Sequence, residues 1–462
     1  MTETLQSRLS VADKAHCWHP FTPVADWEAS DPLIIQSGHG VYLFDIAGNR
    51  YFDGTSSLWC AALGHRHPRL DAALIDQIGQ MGHSTFLGMT HPKAIQLAQR
   101  LAEITPKGLD RVFYSDNGAT AVEIALKMAF QYHVQKSSPE PQRTRFLGLT
   151  GAYHGDTLGD VSIGGVSHFH SLFKPLLFET LRAPAPHCYR CPLGLTQPQC
   201  ALACLKEATD LIDQHAETLA AVVVEPIVQG ASGMITQPEG WLKGLADHCR
   251  KRNVLLILDE VAVGFGRTGT MFACEHEAVS PDFICLAKGL TGGYLPMAAT
   301  VTTNEIYNAF RGDPSNPKTF YHGHTFTGNP LGSAVALAVL DTFENDHILE
   351  NVNRQAQRIS ERFDRDLKGR RFIGEIRQRG LMIGVDLVQD RATRLEFQAH
   401  LKPSAKMCLI ARRKGLLIRP LGHNVTFLPP LISTDQEIDD MLDIFIESYL
   451  EMENTIAAEL IP

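Results

Sequence analysis

The run Leu255-Leu256-Ile257-Leu258-Asp259-Glu260 is apolar and ends in two carboxylates. A second apolar run, from Phe283 to Leu286-Ala287-Lys288-Gly289, ends in a lysine. Between them lies Gly264-Phe265-Gly266-Arg267-Thr268-Gly269. Short apolar runs beside turn residues read as strands buried on both faces of a parallel sheet. Open α/β sheets collect their chemistry at the carboxyl ends of such strands. The two runs therefore predict an α/β fold with Asp259 and Lys288 at strand ends. Taken singly, each residue has a plainer explanation: a surface lysine, and an aspartate that caps a helix.

Outward from this stretch, strand and helix patterns alternate. Strands are predicted at Arg111–Ser115, Arg145–Thr150, Ala220–Glu225, Val254–Asp259, Phe283–Ala287 and Ala298–Thr302. Helices are predicted at Lys93–Ile104, Ala119–Gln135 and Glu239–Lys251. Such alternation argues for a mostly parallel sheet. Residues 1–60 hold short, turn-rich elements, among them the strand-like Gly40–Asp45. A helix from Gly328-Asn329-Pro330 to about Asn345 leads into an α+β part. That part has helices near Leu349–Leu367 and Thr434–Glu453, and strands at Leu381–Leu387, Leu416–Arg419 and Val425–Leu428.

A chain of 462 residues exceeds one ordinary core, so two domains are expected. Its 44% hydrophobic and 20% charged residues describe a globular protein. The net charge of -9 argues against general nucleic-acid binding. Met1 to Arg8 carry no apolar signal core, and no run approaches the ~20 apolar residues of a membrane span. A cytoplasmic enzyme is the expectation.

Three further motifs follow predicted strands or open helices. Tyr114-Ser115-Asp116-Asn117-Gly118-Ala119-Thr120 joins a strand to a helix, and free N–H groups there make an anion seat. An ordinary capped helix would look the same. Gly151-Ala152-Tyr153-His154-Gly155-Asp156-Thr157 offers an aromatic ring that can stack on a flat ligand. A polar loop with a buried tyrosine is its bland counterpart. Tyr321-His322-Gly323-His324-Thr325-Phe326-Thr327-Gly328-Asn329-Pro330 presents a threonine hydroxyl on a glycine-flanked loop, or simply a turn before a helix.

A lysine and an aspartate at strand ends suit pyridoxal 5'-phosphate. The lysine condenses with its aldehyde, and the carboxylate keeps the pyridine nitrogen protonated. With all four motifs in order, the chain resembles the class III aminotransferases of the fold-type I pyridoxal-phosphate superfamily over nearly its whole length. The resemblance implies that Lys288 carries the cofactor and moves the substrate's Cα proton. It implies that Asp259 pairs with the ring nitrogen, and that Val261 and Tyr153 cover the two ring faces. Lys288, Asp259 and Tyr153 are thus the expected catalytic set. Gly118 and Ala119 would hold the phosphate, with His324 and Thr325 completing the cofactor site and Thr325 coming from the partner of a homodimer. The resemblance further implies a large domain of residues 61–335 and a small one built from 1–60 and 336–462.

Within the class the chain is most similar to the biotin-pathway branch, which aminates 7-keto-8-aminopelargonate. The residues that carry this are Trp18-His19-Pro20-Phe21-Thr22, Ser56-Ser57-Leu58-Trp59, His83-Ser84-Thr85-Phe86, Gly151–Thr157 and Arg419-Pro420-Leu421-Gly422. In that branch Arg419 would bind the substrate carboxylate, a bidentate task for a guanidinium. Phe21, Leu58 and Gly323 would line the substrate pocket with Tyr153 and Lys288. Phe21 and Leu58 stand where relatives that use S-adenosylmethionine as donor carry tyrosine and tryptophan, and Thr426 takes a further tyrosine position. A sulfonium gains ~0.5–2 kcal/mol from an aromatic face. The changes therefore favour lysine, or another compact diamine-type donor, over S-adenosylmethionine. An ω-amino acid:pyruvate transaminase or an aminomutase would also keep Asp259 and Lys288, without needing both Trp18-His19-Pro20 and Arg419-Pro420. A cofactor-binding protein without catalysis is opposed by the intact Lys288.

Ten cysteines are present, four of them spaced as Cys188-x2-Cys191-x8-Cys200-x3-Cys204. This is the spacing of a structural zinc knuckle, or of four thiols packing an insertion or forming a disulfide on oxidation. No metal is assigned to the chemistry.

Overall fold

The computed structural model describes residues 4–460; residues 1–3 and 461–462, at the outer ends of the two terminal segments, lie outside it. Seven strands make the central sheet: β1 (Leu109–Ser115), β2 (Arg145–Leu149), β3 (Leu181–Ala183), β4 (Leu219–Val224), β5 (Leu255–Asp259), β6 (Phe283–Leu286) and β7 (Ala298–Thr303). Their order is β1-β7-β6-β5-β4-β2-β3. From β6 to β3 the strands run parallel, whereas β7 is antiparallel to both neighbours. The sheet is mostly parallel, as expected. An apolar run has the same pattern whichever way it points, so the reversal of β7 leaves no mark on its composition.

Alternate residues of these strands serve two cores. Leu256, Leu258, Ile284 and Leu286 join one cluster, and Leu255, Ile257, Phe283 and Cys285 join the other. A strand wanted by two cores has no position to give to a polar side chain, hence the unbroken apolar runs. Helix α1 (Gly118–Gln135) covers one face with Ala121, Val122, Ile124 and Ala125. The other face meets helices Pro68–Gln80, Pro92–Ile104 and Pro330–Asn345, which bury Leu70, Leu97, Leu101 and Val335.

The two short runs now meet. Asp259 closes β5 opposite Cys285 of β6, and Lys288 stands just beyond the end of β6. Parallel pairing therefore places carboxylate and amine at the same end of the sheet.

Two four-stranded sheets accompany it. Ile35–His39, Tyr42–Asp45, Arg50–Asp53 and Leu416–Leu417 form one; Ile373–Arg379, Met382–Leu387, Asn424–Phe427 and Arg419–Leu421 form the other. The single strand expected at Leu416–Arg419 is divided between them. Leu416–Leu417 pairs with Phe52–Asp53, while Arg419–Leu421 pairs with Asn424–Phe427. Pro420 sits on the outermost strand of its sheet, where a missing N–H costs no ladder bond. Ile373–Arg379 is absent from the predicted strands, because Glu375, Arg377, Gln378 and Arg379 make it too polar to read as one. Among the described residues no helix is long and apolar enough to cross a membrane.

Candidate active site

A cavity of about 720 Å³ opens at the carboxyl end of the sheet. Gly118, Ala119, Tyr153, His154, Gly155, Val261 and Lys288 all line it. Residues from three of the four motifs are thus brought to one place.

Lys288 adopts a left-handed backbone (φ 44°), which costs a residue with a Cβ roughly 1–2 kcal/mol. Its Nζ lies 4.9 Å from the centre of the Trp59 ring. Burial holds the amine below its ordinary pKa, an effect opposed by the charges of Asp259 and Glu225. An amine held down in this way is readier to act as nucleophile and base near neutral pH.

Asp259 is buried, and both its oxygens are engaged. Oδ2 lies 2.7 Å from His154 Nδ1, and Oδ1 accepts the Val261 N–H at 3.0 Å. The remaining ring nitrogen of His154, Nε2, is buried with no partner among the described residues. The Tyr153 N–H donates to Glu225 Oε2 (3.1 Å), and its hydroxyl donates to Asp156 Oδ2 (2.9 Å). Glu225 also accepts the Gly230 N–H at 2.9 Å, and burial pushes its pKa up to about 7. Tyr153 is therefore tied at both backbone and ring. The sequence motifs do not single out His154, Glu225 or Trp59 as site residues. Glu225 ends a predicted strand in a carboxylate, the same signal that marks Asp259, and His154 stands beside Tyr153 in its motif.

The helix start that the sequence offers as a candidate anion seat is a capped one. Asn117 caps α1 by accepting the Thr120 N–H (3.0 Å), and the Thr120 hydroxyl accepts the Asn117 N–H (3.3 Å). Gly118 and Ala119 begin the helix, so their N–H groups have no intrahelical acceptor. A Cβ at Gly118 would fall 2.5 Å from Val261 Cγ1. Only glycine lets Val261 pack this close beneath the seat.

Other expected residues lie farther out. His324 Nδ1 is 3.1 Å from Asp116 Oδ2, at the edge of the seat. Gly323 and Thr325 are exposed and do not line the cavity. Phe21, also exposed, has its ring 5.3 Å from that of Phe169, which lies 6.2 Å from Tyr153. Leu58 is exposed in a left-handed segment: Ser56, Ser57, Leu58 and Trp59 all have positive φ. Asp53 holds that segment by accepting the Ser57 N–H (2.9 Å) and hydroxyl (2.7 Å). Arg419 is exposed on its edge strand, and among the described residues no carboxylate pairs with its guanidinium. Thr426, expected in the pocket, is fully buried, and its hydroxyl donates to the Arg419 carbonyl (3.0 Å). It secures the arginine strand and does not line the cavity.

Cys188, Cys191, Cys200 and Cys204 gather around a separate space of about 20 Å³, all partly buried and unpaired. Burial and the other three thiols push the Cys188 pKa up to about 11. Among the described residues no three His, Cys, Asp or Glu side chains are arranged to hold a metal ion.

Known proteins resemble this chain over most of its length. The family model for aminotransferase class-III matches residues 24–448. A protein of Nitratidesulfovibrio vulgaris named adenosylmethionine-8-amino-7-oxononanoate aminotransferase is 50% identical over 436 residues, which are 94% of this chain and 80% of that protein. A crystal structure of an enzyme of the same name from Methanocaldococcus jannaschii superposes with a TM-score of 0.91 at 42% identity, covering 96% of this chain and 99% of that one. An (S)-enantioselective omega-transaminase from Thermomicrobium roseum superposes with a TM-score of 0.91 at 33% identity, covering 98% of this chain and 100% of that one.

Proposed function

Since the chain belongs to the class III aminotransferases, enzymes that use pyridoxal 5'-phosphate, we propose that it aminates 7-keto-8-aminopelargonate (8-amino-7-oxononanoate) to 7,8-diaminopelargonate in biotin biosynthesis. The observation that carries this reading is Arg419. It stands exposed and unpaired on a strand secured by Thr426, in a chain 50% identical to a protein named for that acceptor. The omega-transaminase likeness is lower, at 33% identity.

The residues fit the cofactor. The Gly118–Ala119 seat suits a phosphate, and Asp259, steadied by His154, suits a protonated ring nitrogen. When bound, pyridoxal phosphate supplies the aldehyde that carries the amino group and the ring that takes up electrons. In this reading Lys288 holds the cofactor and then moves the proton at the substrate Cα. Val261 and Tyr153, which both line the cavity, would bracket the ring, and Glu225 and Asp156 keep Tyr153 in place. Arg419 orients the acceptor by its carboxylate. Phe21, Leu58 and Gly323 shape the entrance, and His324 belongs to the cofactor site. Thr325 completes the phosphate site of a second copy, so the working unit is a homodimer. The cofactor-binding part is residues 61–335, and the small domain joins 1–60 to 336–462. Pairing of Leu416–Leu417 with Phe52–Asp53 supports that division. In this reading the reaction takes place in the cytoplasm.

Asp259→Asn should leave the cofactor bound but lower turnover. A carboxylate beside a cation is worth about one to two pKa units, so the loss is roughly 10- to 100-fold. Turnover at normal cofactor content measures it, and a near-normal rate would make the carboxylate structural.

The amino donor in this reading is lysine or a compact diamine in preference to S-adenosylmethionine. Phe21 and Leu58 offer no phenol hydroxyl and no tryptophan ring where S-adenosylmethionine-using relatives carry them, and both are exposed. Purified enzyme should produce 7,8-diaminopelargonate from the keto acid, with lysine serving at least as well as S-adenosylmethionine. Phe21→Tyr with Leu58→Trp should move preference toward S-adenosylmethionine by about 5- to 30-fold, the equivalent of roughly one to two kcal/mol of aromatic contact. Efficient use of S-adenosylmethionine with no use of lysine would overturn the donor reading and leave the acceptor reading standing. Failure to aminate the keto acid with any donor would overturn the function.

A further inference from the structure

Helix α2 (Leu158–Ile163) packs against α1 behind the anion seat. It carries Asp160, which is 0% exposed and, among the described residues, has no hydrogen-bond partner at either carboxyl oxygen. The hydroxyl beside it, on Thr157, gives its proton to Glu123 at 2.6 Å. Among the described residues the charges that act most strongly on Asp160 are acids: Glu123 on α1, Asp259 at the end of β5, and Asp156 on the loop before α2. Tyr153 and Cys285 also face it, and neither is a cation. His170, on the segment after α2, is buried; among the described residues both its ring nitrogens lack a partner, so it gives Asp160 no hydrogen bond.

Position links this acid to the seat. A Cβ at Gly155 would collide with both Asp160 Oδ2 and Ala119 Cβ. Gly155 and Ala119 line the cavity, so one layer of backbone separates the carboxyl from it. A carboxylate buried with no cation beside it is strongly disfavoured, so burial favours the protonated form, and the nearby Thr157 hydroxyl opposes this only in part. Burial and the neighbouring acids hold its pKa well above the usual carboxylate range. A phosphate dianion on Gly118 and Ala119 would bring further negative charge to the same place.

We propose that Asp160 is a positioning residue that must remain protonated for the seat in front of it to hold the cofactor phosphate. This rests on the reading of Gly118 and Ala119 as that seat. The sign follows from linkage: bound phosphate makes the proton harder to lose, so loss of the proton weakens the hold on phosphate. Retention of cofactor should therefore fall as pH rises on the alkaline side, by up to about tenfold per pH unit for one proton.

Holoenzyme in its pyridoxamine 5'-phosphate form is the probe, because that form has no covalent bond to Lys288. Its rate of cofactor release is followed against pH at constant ionic strength. Wild type should release faster as pH rises. Asp160→Asn, of the same shape but unable to ionise, should hold cofactor at neutral pH and lose the added alkaline dependence. Equal slopes in the two proteins would overturn the proposal. If Asp160→Asn yields no folded holoenzyme, Asp160→Ala takes its place, and a flat wild-type profile overturns the proposal without any variant. A chain that retains no pyridoxal phosphate at any pH would reject the seat itself, a different result from a retained cofactor with unchanged slope.

Discussion

Lys288→Ala is expected to reduce amino transfer below about a hundredth of the wild-type rate, since general acid–base catalysis alone typically supplies at least that factor. The geometry offers no substitute. Lys288 is the one lysine lining the cavity among the described residues, and burial has already lowered its pKa for proton transfer. The variant should remain folded, because the strand that precedes it is held by Ile284 and Leu286 in the core, which the change does not touch. Turnover and circular dichroism measure the two parts of this expectation. A folded variant that kept more than about a hundredth of the activity would remove Lys288 from the role of base.

Arg419→Ala is expected to separate the two halves of the reaction. Losing a charge-assisted pair with a carboxylate costs about 2–4 kcal/mol, or roughly 30- to 1000-fold in kcat/KM for the keto acid. Donor deamination in a single half-reaction should change little. The fold is free to tolerate the loss: the Arg419 side chain is exposed and unpaired, and its strand is held through the backbone carbonyl that accepts from Thr426. Equal loss in both half-reactions would assign Arg419 to cofactor binding or to the fold. Because any transaminase of the class would need Lys288, this second result is the one that bears on the acceptor.

Lys288 and Asp259 are legible in the sequence for a local reason. Each is a charged residue that closes an apolar run, and an apolar run closed in this way reads as a buried strand delivering its last side chain to the sheet end. Gly118 and Ala119 are legible because a helix start announces itself by its cap, here Asn117. His154 and Glu225 are harder. His154 meets Asp259 across 105 positions of chain, and Glu225 meets the Tyr153 N–H across 72. Those contacts exist only because β2, β4 and β5 are neighbours in the sheet. Thr426 shows the opposite error. The family resemblance makes it a pocket residue, but strand pairing turns its hydroxyl onto the Arg419 carbonyl.

Local pattern alone determined the α/β class, the runs that become β4, β5 and β6, the capped helix start at Gly118 and the lysine and aspartate at strand ends, because each depends on neighbours within a few residues. Tertiary structure alone decided the reversal of β7, the division of Leu416–Arg419 between two sheets, and the tethering of Tyr153 by Glu225. It also decided the burial of Asp160 without a partner behind the seat. Strand direction, sheet membership and the supply of hydrogen-bond partners are properties of what packs alongside, and an apolar run or a lone aspartate carries no record of its neighbours.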